Sequence, residues 1–479
     1  MPLLARLSLL ILLLTHEAAG EDRPNIVFLL TDDQTVYSLG CYGNPDVKTP
    51  NMDALAADGM AFDNYYNTTA ICMASRANIM TGMFEYKTGC NFEHGDLFAA
   101  HWQKSYPILL REAGYTTAIA GKIGFTVTQN AGKKGKLPSA DFDRWGAGPG
   151  QTKYATKQNG SMAAYAKEYP HSSRAYGAFG SDFIRDSAKG EKPFCLSISF
   201  KAPHKPATPD PLDAAIYKGK TFTKPSNYGR EYGEHFSKQS KQGRQFERFH
   251  SWNYSDDYDG VMATYHQQIY AVDVAVGMIR KAIKEAGVEK NTVIIFTSDN
   301  GFLCGSHGYG SKVLPYEESA RAPLMMVDPR HANSGKQLRS DSLAGNVDIA
   351  PTILALAGLP IPANMDGSSL LPIYAKPAAE NHTSLPLINV WGPKPCHSLS
   401  VVTKDLKYIY WAHQGNGFEP SEELYDTKND PGELTNAIKT HQDADAMREL
   451  YDRHLERWEK HALPYHNYQP FSKIFARKS

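Results

Sequence analysis

The chain has 479 residues, more than one hydrophobic core usually fills, so we expect a large domain and a smaller one. Its 42% apolar and 21% charged residues are ordinary for a globular protein. The formal net charge of zero excludes attraction to nucleic acid through bulk charge, so any preference for an anionic partner must come from local patches.

The first twenty residues, MPLLARLSLLILLLTHEAAG, differ from the rest of the chain. One arginine precedes an apolar run over Leu7–Leu14, and small residues follow up to Gly20. This pattern predicts a secretory signal peptide over residues 1–20, and therefore a secreted or periplasmic protein. The alternative is a membrane anchor, but the apolar run is shorter than the roughly 20 residues that span a bilayer.

Four segments are predicted as strands, with helices between them, and two of these segments, Asn25–Leu30 and Thr292–Phe296, are continuous apolar runs typical of buried parallel strands. The predicted strands are Asn25–Leu30, Thr116–Ala120, Phe194–Phe200 and Thr292–Phe296. The predicted helices include Met52–Gly59, Pro107–Ala113 and Tyr265–Ala286. Strands that alternate with helices predict an α/β sheet.

Polar residues follow each of these strands. Asp32 and Asp33 follow the first strand, and Asp299 and Asn300 follow the last. Ligands of open α/β sheets bind at the carboxyl ends of the strands. A single aspartate there is often only a turn or a helix cap, but three converging carboxylates would repel one another without a cation. Carboxylate and amide oxygens favour calcium or magnesium over zinc.

The stretch AICMASRANIMTG, residues 70–82, contains the start of a predicted helix, whose first turn holds Cys72, Ser75 and Arg76. A lone cysteine is by default a small buried hydrophobic residue. The six cysteines are too few and too scattered for a disulfide framework, and their pairing cannot be deduced from the sequence.

The motifs of this chain occur in the order found in the type I sulfatases of the alkaline phosphatase superfamily. They are Asp32-Asp33, CMASRANIMTG, GYTTAIAGK, APHKP, TSDNG, GSKVLPYEESARAPL, NVDIAPTILALAGLPIP and ELYDTKNDPGE. The chain resembles that family over nearly all of its length after residue 20. The resemblance implies a sulfuric ester hydrolase with an alkaline-phosphatase-like α/β fold. A large mixed sheet flanked by helices would form a catalytic domain over residues 21–371, followed by a smaller C-terminal antiparallel-sheet subdomain over residues 372–479.

The resemblance also gives Cys72 a chemical role. In that family the pattern Cys-x-Ala-Ser-Arg, here Cys72–Arg76, marks a cysteine that a separate maturation enzyme oxidises to formylglycine. One hydroxyl of the hydrated aldehyde would attack sulfur, and the other would then expel sulfate.

By the same resemblance, four oxygen-bearing side chains would hold calcium: Asp32, Asp33, Asp299 and Asn300. Arg76 would steady the formylglycine.

Three further residues would act on the sulfate ester. Lys122 and Lys312 would bind sulfate oxygens as the S–O bond breaks, and His204 would protonate the leaving sugar oxygen. One position departs from the family pattern: many members carry a histidine two residues after the motif lysine, where this chain has Gly124. His307, in GSHGYGSK, is the candidate to share that work or to contact the substrate.

The C-terminal segment changes character. LPLINVW, SLSVVTK and LKYIYW are typical of short strands in an antiparallel sheet, and a final helix fits Gln442–His461.

The segment Lys218–His250 fits no regular element and holds eight Lys or Arg against three Glu. Its interleaved aromatic residues include Phe222, Tyr228, Tyr232 and Phe236. Such a segment could line a groove for an anionic sugar chain, because cations pair with sulfates. The alternative is a solvated loop.

The sequence therefore favours a secreted, calcium- and formylglycine-dependent sulfatase acting on a sulfated carbohydrate of polysaccharide or glycosaminoglycan type. One alternative is a phosphonate or phosphate ester hydrolase of the same superfamily, and another is an inactive carbohydrate-binding relative. The expected partners are the sulfated carbohydrate and the maturation enzyme. We expect neither a nucleic-acid partner nor a membrane anchor.

Overall fold

The computed structural model describes residues 23–130, 133–462 and 471–477. The predicted signal peptide over residues 1–20 lies outside the described residues. The main feature is an eight-stranded sheet. In chain order its strands are β1 (Asn25–Asp32), β2 (Met60–Phe62), β3 (Thr116–Lys122), β4 (Arg144–Gly148), β5 (Phe194–Pro203), β6 (Thr292–Ser298), β7 (Leu324–Val327) and β8 (Leu338–Ser340).

The spatial order of these strands is β8-β2-β7-β6-β1-β5-β3-β4. The run β6-β1-β5-β3-β4 is parallel throughout. Strand β7 runs antiparallel to both of its neighbours, which makes the sheet mixed. The four predicted strands are therefore confirmed as β1, β3, β5 and β6, and they lie side by side in the parallel part.

Helices cover both faces of this sheet. The helices of the described residues are α1 (Pro50–Asp58), α2 (Cys72–Thr81), α3 (Glu85–Thr88), α4 (Ala99–Trp102), α5 (Tyr106–Glu112), α6 (Ser172–Ser187), α7 (Arg244–Ser251), α8 (Tyr258–Glu285), α9 (Glu317–Ala320), α10 (Ile349–Leu356), α11 (Leu371–Ala375), α12 (Ala444–His461) and α13 (Phe471–Ile474). The predicted helices are confirmed as α1, α5, α8 and α12, with shifted ends.

Strand β1 shows why its sequence is apolar without interruption. Val27 and Leu29 face a core formed with α1, α6 and α8. Ile26 and Phe28 face a second core formed with α2, α5 and α10. A central parallel strand is buried on both faces, so alternation of polar and apolar residues is lost.

A second sheet lies in the C-terminal segment and is antiparallel, as predicted. Its strands are β9 (Leu385–Asn389), β10 (Ser398–Val402), β11 (Leu406–Trp411) and β12 (Ser421–Asp426), in that spatial order. Strand β12 was not among the predicted strands. The proposed boundary near residue 371 stays a prediction.

Both faces of this second sheet are buried. Tyr408 and Tyr410 of β11 pack with α12, whereas Ile409 and Trp411 face the main body of the protein. The second sheet is thus fixed against the part of the molecule that carries the site described below.

Among the helices of the described residues, none combines the length and the apolar character needed to cross a bilayer. All six cysteines are free thiols.

Candidate active site

The carboxyl ends of adjacent strands bring the predicted polar residues together. Asp32 is the last residue of β1, and Asp299 and Asn300 directly follow β6. Because Thr31 pairs with Ser298 across these strands, both acidic ends lie at the same height. Asp33 turns the chain with φ 71°, a left-handed conformation that aspartate tolerates better than most residues.

The four predicted metal ligands form one buried cluster. Asn300 Nδ2 donates to Asp33 Oδ1 at 2.7 Å, and the Asp33 backbone N–H donates to Asp299 Oδ1 at 3.3 Å. Lys312 Nζ pairs with Asp33 and lies 3.7 Å from Asp32 Oδ1. None of the four side chains has more than marginal contact with solvent.

Three cations compensate the three carboxylates. Arg76 Nε pairs with Asp299 Oδ2 at 2.7 Å, and Lys122 Nζ pairs with Asp32 Oδ2 at 2.5 Å. Lys312 pairs with Asp33. We call these six residues the site cluster. Its formal charge is zero, from three carboxylates and three cations.

Arg76 is held in place by more than its carboxylate. Its Nη1 donates to the backbone oxygen of Lys122 at 2.6 Å and also to the Ser199 hydroxyl. Ser199 lies on β5, between β1 and β3, and was not predicted from the sequence. Ser199 belongs to none of the motifs described above, and it lies beside Arg76 only because β5 is next to β1 and β3 in the sheet.

Cys72 is the first residue of α2 and lies over this cluster. Ile71 before it is extended, so the helix begins at the cysteine itself. Lys312 Nζ lies 2.8 Å from Cys72 Sγ, which makes the thiol a neighbour of the carboxylates. Burial raises the pKa of the Cys72 thiol, although Lys122 and Lys312 oppose that shift.

The protonation of the cluster follows from its neighbours. Burial alone would raise the pKa of Asp32, but Lys122, His204, Lys312 and Arg76 together hold it well below its usual value. Burial lowers the pKa of His204, despite the opposing effect of Asp32 and Asp33. His204 is therefore neutral at neutral pH, while Asp32 is ionised.

The cluster fits a hard divalent cation. Asp32 Oδ1 and Asn300 Oδ1 are buried and accept no hydrogen bond from the described residues. One ligating atom each from Asp32, Asp33, Cys72 and His204 lies within 4.8 Å of the others. Buried carboxylate and amide oxygens, such as those of Asp32, Asp33 and Asn300, are the ligands that calcium and magnesium prefer.

His204 lies at the edge of the cluster. Its Nε2 is 3.8 Å from Asp33 Oδ2, and its Nδ1 contacts the backbone oxygen of Lys205. Because a carbonyl oxygen only accepts, Nδ1 carries the proton of the neutral ring. Nε2 is then free to take up and return a proton on the side of the carboxylates.

The site opens into a cleft of about 620 Å³. Cys72, His204 and Lys312 line its inner end. Asp33 also lines this inner end, and cationic and aromatic residues line the rest together with neutral ones. The cationic and aromatic residues are Phe92, Lys205, Arg244, Arg248, Trp252 and Trp391. They come from segments far apart in the chain, so their convergence could not be read from the sequence.

His307 does not join this site. Its Nε2 lies 2.9 Å from Asn227 Nδ2, its Nδ1 is 3.0 Å from the backbone oxygen of Tyr232, and its ring packs on Phe236. The positive φ angles of His307 and Ser311 turn the loop, so that Lys312 faces the cluster while His307 faces the layer beneath the second sheet. The site proposed below therefore does not include His307.

Gly124 has a steric reason to be glycine. Its φ is +88°, and a Cβ atom there would lie 2.5 Å from Cδ of Arg76. Arg76 thus fills the space that a side chain at position 124 would need.

The segment Lys218–His250 is only partly as expected. Phe222 and Phe236 are buried in cores and do not line the cleft. Its end forms α7, and two arginines of that helix, Arg244 and Arg248, do line the cleft. Phe222 and Phe236 of this segment therefore contribute to hydrophobic cores, whereas Arg244 and Arg248 line the cleft.

The fold and the buried cluster define a hydrolase of the alkaline-phosphatase-like type. The family model "Sulfatase" matches residues 24–359, and the model "N-sulphoglucosamine sulphohydrolase, C-terminal" matches residues 305–461. The chain belongs to the sulfatase family, and it is a sulfuric ester hydrolase.

Similar proteins include sulfatases of sulfated sugars. An N-acetylglucosamine-6-O-sulfatase of Bacteroides thetaiotaomicron is 27% identical, over 89% of this chain and 85% of that protein. A solved structure in complex with its substrate D-glucosamine-2-N,6-O-disulfate is 26% identical, with a TM-score of 0.75, over 91% of this chain and 98% of that one. The phosphonate monoester hydrolase of Agrobacterium radiobacter shares the fold, with a TM-score of 0.73 at 22% identity, over 92% of this chain and 96% of that one.

Proposed function

We propose that this chain is an exported sulfatase that hydrolyses sulfate esters of a sulfated carbohydrate, with formylglycine derived from Cys72 and with calcium. The observation that carries this proposal is the position of Cys72. It lies at a helix start, 2.8 Å from Lys312 Nζ, above carboxylate and amide oxygens that lack partners, and at the end of a cationic cleft.

Asp32, Asp33, Asp299 and Asn300 would hold the metal. A bound calcium ion would withdraw charge from a sulfate oxygen and favour deprotonation of a neighbouring hydroxyl. Formylglycine at position 72 would supply the attacking hydroxyl and the second hydroxyl that lets sulfate leave.

Charge balance supports this use of the site. The site cluster is neutral, with three carboxylates and three cations, and His204 is uncharged. A divalent cation would bring the sum to +2. Such a site attracts an anionic ester and stabilises the charge that develops on the departing sulfate.

The side chains of this chain supply the remaining work. Lys122 and Lys312, which pair with Asp32 and Asp33, would bind oxygens of the sulfate, and Arg76 would hold Asp299 in place. An anionic ester beside His204 would offset the effect of burial and raise the pKa of that ring. His204 would then hold a proton at Nε2 and deliver it to the leaving sugar oxygen.

Co-expression with a formylglycine-generating enzyme tests the proposal. The mass of the Cys72 peptide should fall by about 18 Da, the difference between a thiol and an aldehyde. The modified protein with calcium should then release sulfate from members of a panel of sulfated sugars. Cys72→Ser should fold normally and lose turnover, because serine cannot expel the bound sulfate.

Two outcomes would contradict the proposal. Faster turnover of phosphate or phosphonate esters than of any sulfate ester would favour the alternative hydrolase. Modified, calcium-loaded protein that binds sulfated sugars without turning any over would favour an inactive carbohydrate-binding relative. Sequencing the N-terminus of the exported protein tests cleavage near Gly20.

A further inference from the structure

We propose that Arg248 and Arg244 of α7 form a second anion-binding subsite, which selects sugars that carry another sulfate or a carboxylate beside the sulfate to be hydrolysed. This inference rests on the proposed function, since it concerns the cleft that leads to Cys72. The ligand class is an oxyanion attached to the substrate sugar or to its neighbour.

Three cations of the cleft, Lys205, Arg244 and Arg248, have no paired counter-ion among the described residues. Within residues 23–130, 133–462 and 471–477, no carboxylate lies within 4.0 Å of the charged groups of Lys205, Arg244 or Arg248. Several other arginines of this protein pair with carboxylates: Arg174 with Asp210, for example, at 2.8 Å. Asp33 lines the same cleft but pairs with Lys312 rather than with these cations. Cations without a directly paired carboxylate have hydrogen-bond donors free for an anionic ligand.

Aromatic rings hold these cations in place. The guanidinium of Arg248 lies 4.2 Å from the ring centre of Trp252, and that of Arg244 lies 4.9 Å from the ring centre of Trp391. Lys205 Nζ lies 4.9 Å from Trp252 as well. A ring attracts a cation without taking up its N–H donors, so each guanidinium is oriented but still able to bind an oxyanion.

The position relative to the scissile sulfate is fixed by two short contacts. Arg248 Nη1 donates to Ser311 Oγ at 2.7 Å, and the next residue, Lys312, lies 2.8 Å from Cys72 Sγ. Arg244 is four residues earlier on the same helix, about 6 Å along its axis. Arg248 is therefore adjacent to the sulfate position, and Arg244 is one helical turn beyond it, a spacing on the scale of one sugar residue.

Electrostatics favour an anion at this place. Burial lowers the pKa of Arg248, and the charge of Arg244 lowers it further, because the two guanidinium groups repel each other. An oxyanion between them would relieve this repulsion. The two arginines together offer several N–H donors, more than a neutral sugar hydroxyl would use.

The test uses the modified, calcium-loaded protein and two matched sugars, N-acetylglucosamine 6-sulfate and D-glucosamine-2-N,6-O-disulfate, with a sulfated disaccharide containing a uronate as a third substrate. The native protein should prefer a doubly charged substrate by at least about tenfold in kcat/KM. Arg248→Gln and Arg244→Gln should each lower kcat/KM on that substrate by roughly 10–100-fold, mainly through KM. Their losses on the singly charged sugar should be at least fivefold smaller.

Arg185→Gln is the matched control, because Arg185 lies on the surface of α6 and pairs with Asp182 at 3.2 Å. It should leave both rates unchanged. Preference for the disulfate or for the uronate identifies which oxyanion binds.

Equal losses on singly and doubly charged substrates, or no preference in the native protein, would overturn the subsite. Absence of sulfate release from every substrate would instead contradict the proposed function. For that case, calorimetry of Cys72→Ala protein with the disulfate measures the subsite without turnover. Binding weakened by Arg248→Gln supports the subsite, and unchanged binding contradicts it.

Discussion

Two buried clusters of charge in this protein contain the same residue types but balance them differently. The site cluster pairs Asp32, Asp33 and Asp299 with Arg76, Lys122 and Lys312. The second cluster lies beneath the second sheet and holds four buried carboxylates and two cations: Glu317, Glu318, Glu423, Glu433, Arg321 and Lys407. Glu423 joins it through the hydroxyl of Tyr316, the residue before Glu317. We call it the inter-sheet cluster.

The inter-sheet cluster joins the second sheet to the main body. Lys407 of β11 pairs with Glu433 at 2.9 Å and with Glu317 of α9. The Tyr66 hydroxyl donates to Glu317 at 3.0 Å, and the Glu317 backbone N–H donates to Glu433 at 2.9 Å. These contacts connect β11 of the second sheet with α9 and Tyr66 of the main body.

Protons make up the missing positive charge of the inter-sheet cluster. Burial raises the pKa of Glu433 to about 8, despite the opposing charge of Lys407. Burial likewise raises the pKa of Glu423 to about 7. In the site cluster, Lys122 and the other surrounding cations hold the pKa of Asp32 well below its usual value, although burial raises the pKa of Asp299. Burial of acids alone therefore does not indicate a metal site, and the two clusters differ in how many cations accompany their carboxylates.

The largest effect is expected from neutralising one carboxylate in the site cluster. Asp299→Asn keeps the shape but removes the charge that pairs with Arg76 at 2.7 Å. Turnover should be lost, and calcium affinity should fall by more than the roughly 10–100-fold typical of losing an outer partner of a metal ligand. Calorimetric calcium titration and sulfate release measure both.

Glu318→Gln is the matched change in the inter-sheet cluster, and it should leave kcat within about twofold because the site is untouched. Equal losses of turnover in the two variants would remove the distinction between the clusters.

The next effect concerns stability alone. Lys407 is fully buried, so Lys407→Met leaves Glu317 and Glu433 without their shared cation. Breaking a buried pair in this way should lower the free energy of unfolding by about 3–5 kcal/mol. Denaturant unfolding followed by fluorescence measures the loss.

The exposed pair of Lys404 with Asp341 at 2.8 Å provides the control, and Lys404→Ala should cost less than about 1 kcal/mol. A Lys407→Met protein as stable as the native one would show that the inter-sheet cluster does not hold the layers together.

A smaller effect should appear as pH dependence. The pKa of Glu423 is raised from 4.5 to about 7 in the folded protein, so folding takes up a proton between these values. The stability that this proton contributes is fully present below pH 4.5 and is lost as the pH rises through about 7. The loss in the free energy of unfolding amounts to at most ~3 kcal/mol.

Glu423→Gln removes the titrating group and should flatten this part of the pH profile, as denaturant titrations at several pH values between 5 and 8 would record. Glu459→Gln, on the exposed side of α12, should keep the native profile. Parallel native and Glu423→Gln profiles would mean that Glu423 stays ionised.

The smallest effect is expected at Gly124. Gly124→Ala would place Cβ 2.5 Å from Arg76 Cδ, at a φ of +88° that favours glycine. Strain and overpacking together should cost about 1–3 kcal/mol, with reduced turnover because Arg76 must move.

Gly114 has a φ of +92°, and no atom lies within 4 Å of a Cβ added there. Gly114→Ala therefore introduces backbone strain like that of Gly124→Ala but no steric overlap with another side chain. Thermal unfolding and sulfate release should show Gly124→Ala as the more harmful variant. Equal behaviour of the two would argue that Arg76 does not restrict position 124.

Much of the fold follows from local sequence. Continuous apolar runs predicted β1 and β6, because central parallel strands are buried on both faces, and β3 and β5 were predicted as strand-length segments between helices. Strand β12 was missed since its sequence, SEELYD, holds three acidic residues and only two apolar ones, so it has neither a continuous apolar run nor a regular alternation. Its place depends on pairing with β11, which is a tertiary effect.

Some residues of the candidate site could likewise be predicted from local sequence, whereas others depend on tertiary packing. Asp32 and Asp299 could be predicted because they end strands that turned out to be neighbours. His307 was misplaced because nearness in sequence to Lys312 does not fix direction in a loop with several positive φ angles. Arg248 and Trp391 meet only through the packing of distant segments, and no local pattern indicates such a meeting.

The burial of α2 has a consequence for how an active molecule is made. Cys72 is 3% exposed, and Ser75 and Arg76 are fully buried, so the folded chain hides the whole Cys72–Arg76 motif. On the proposed function, a maturation enzyme can reach that motif only before folding is complete. In each newly made chain, modification then competes kinetically with folding, and a chain that folds first keeps its thiol. The specific activity of a preparation would therefore depend on the fraction of chains modified before folding, even when all chains are correctly folded.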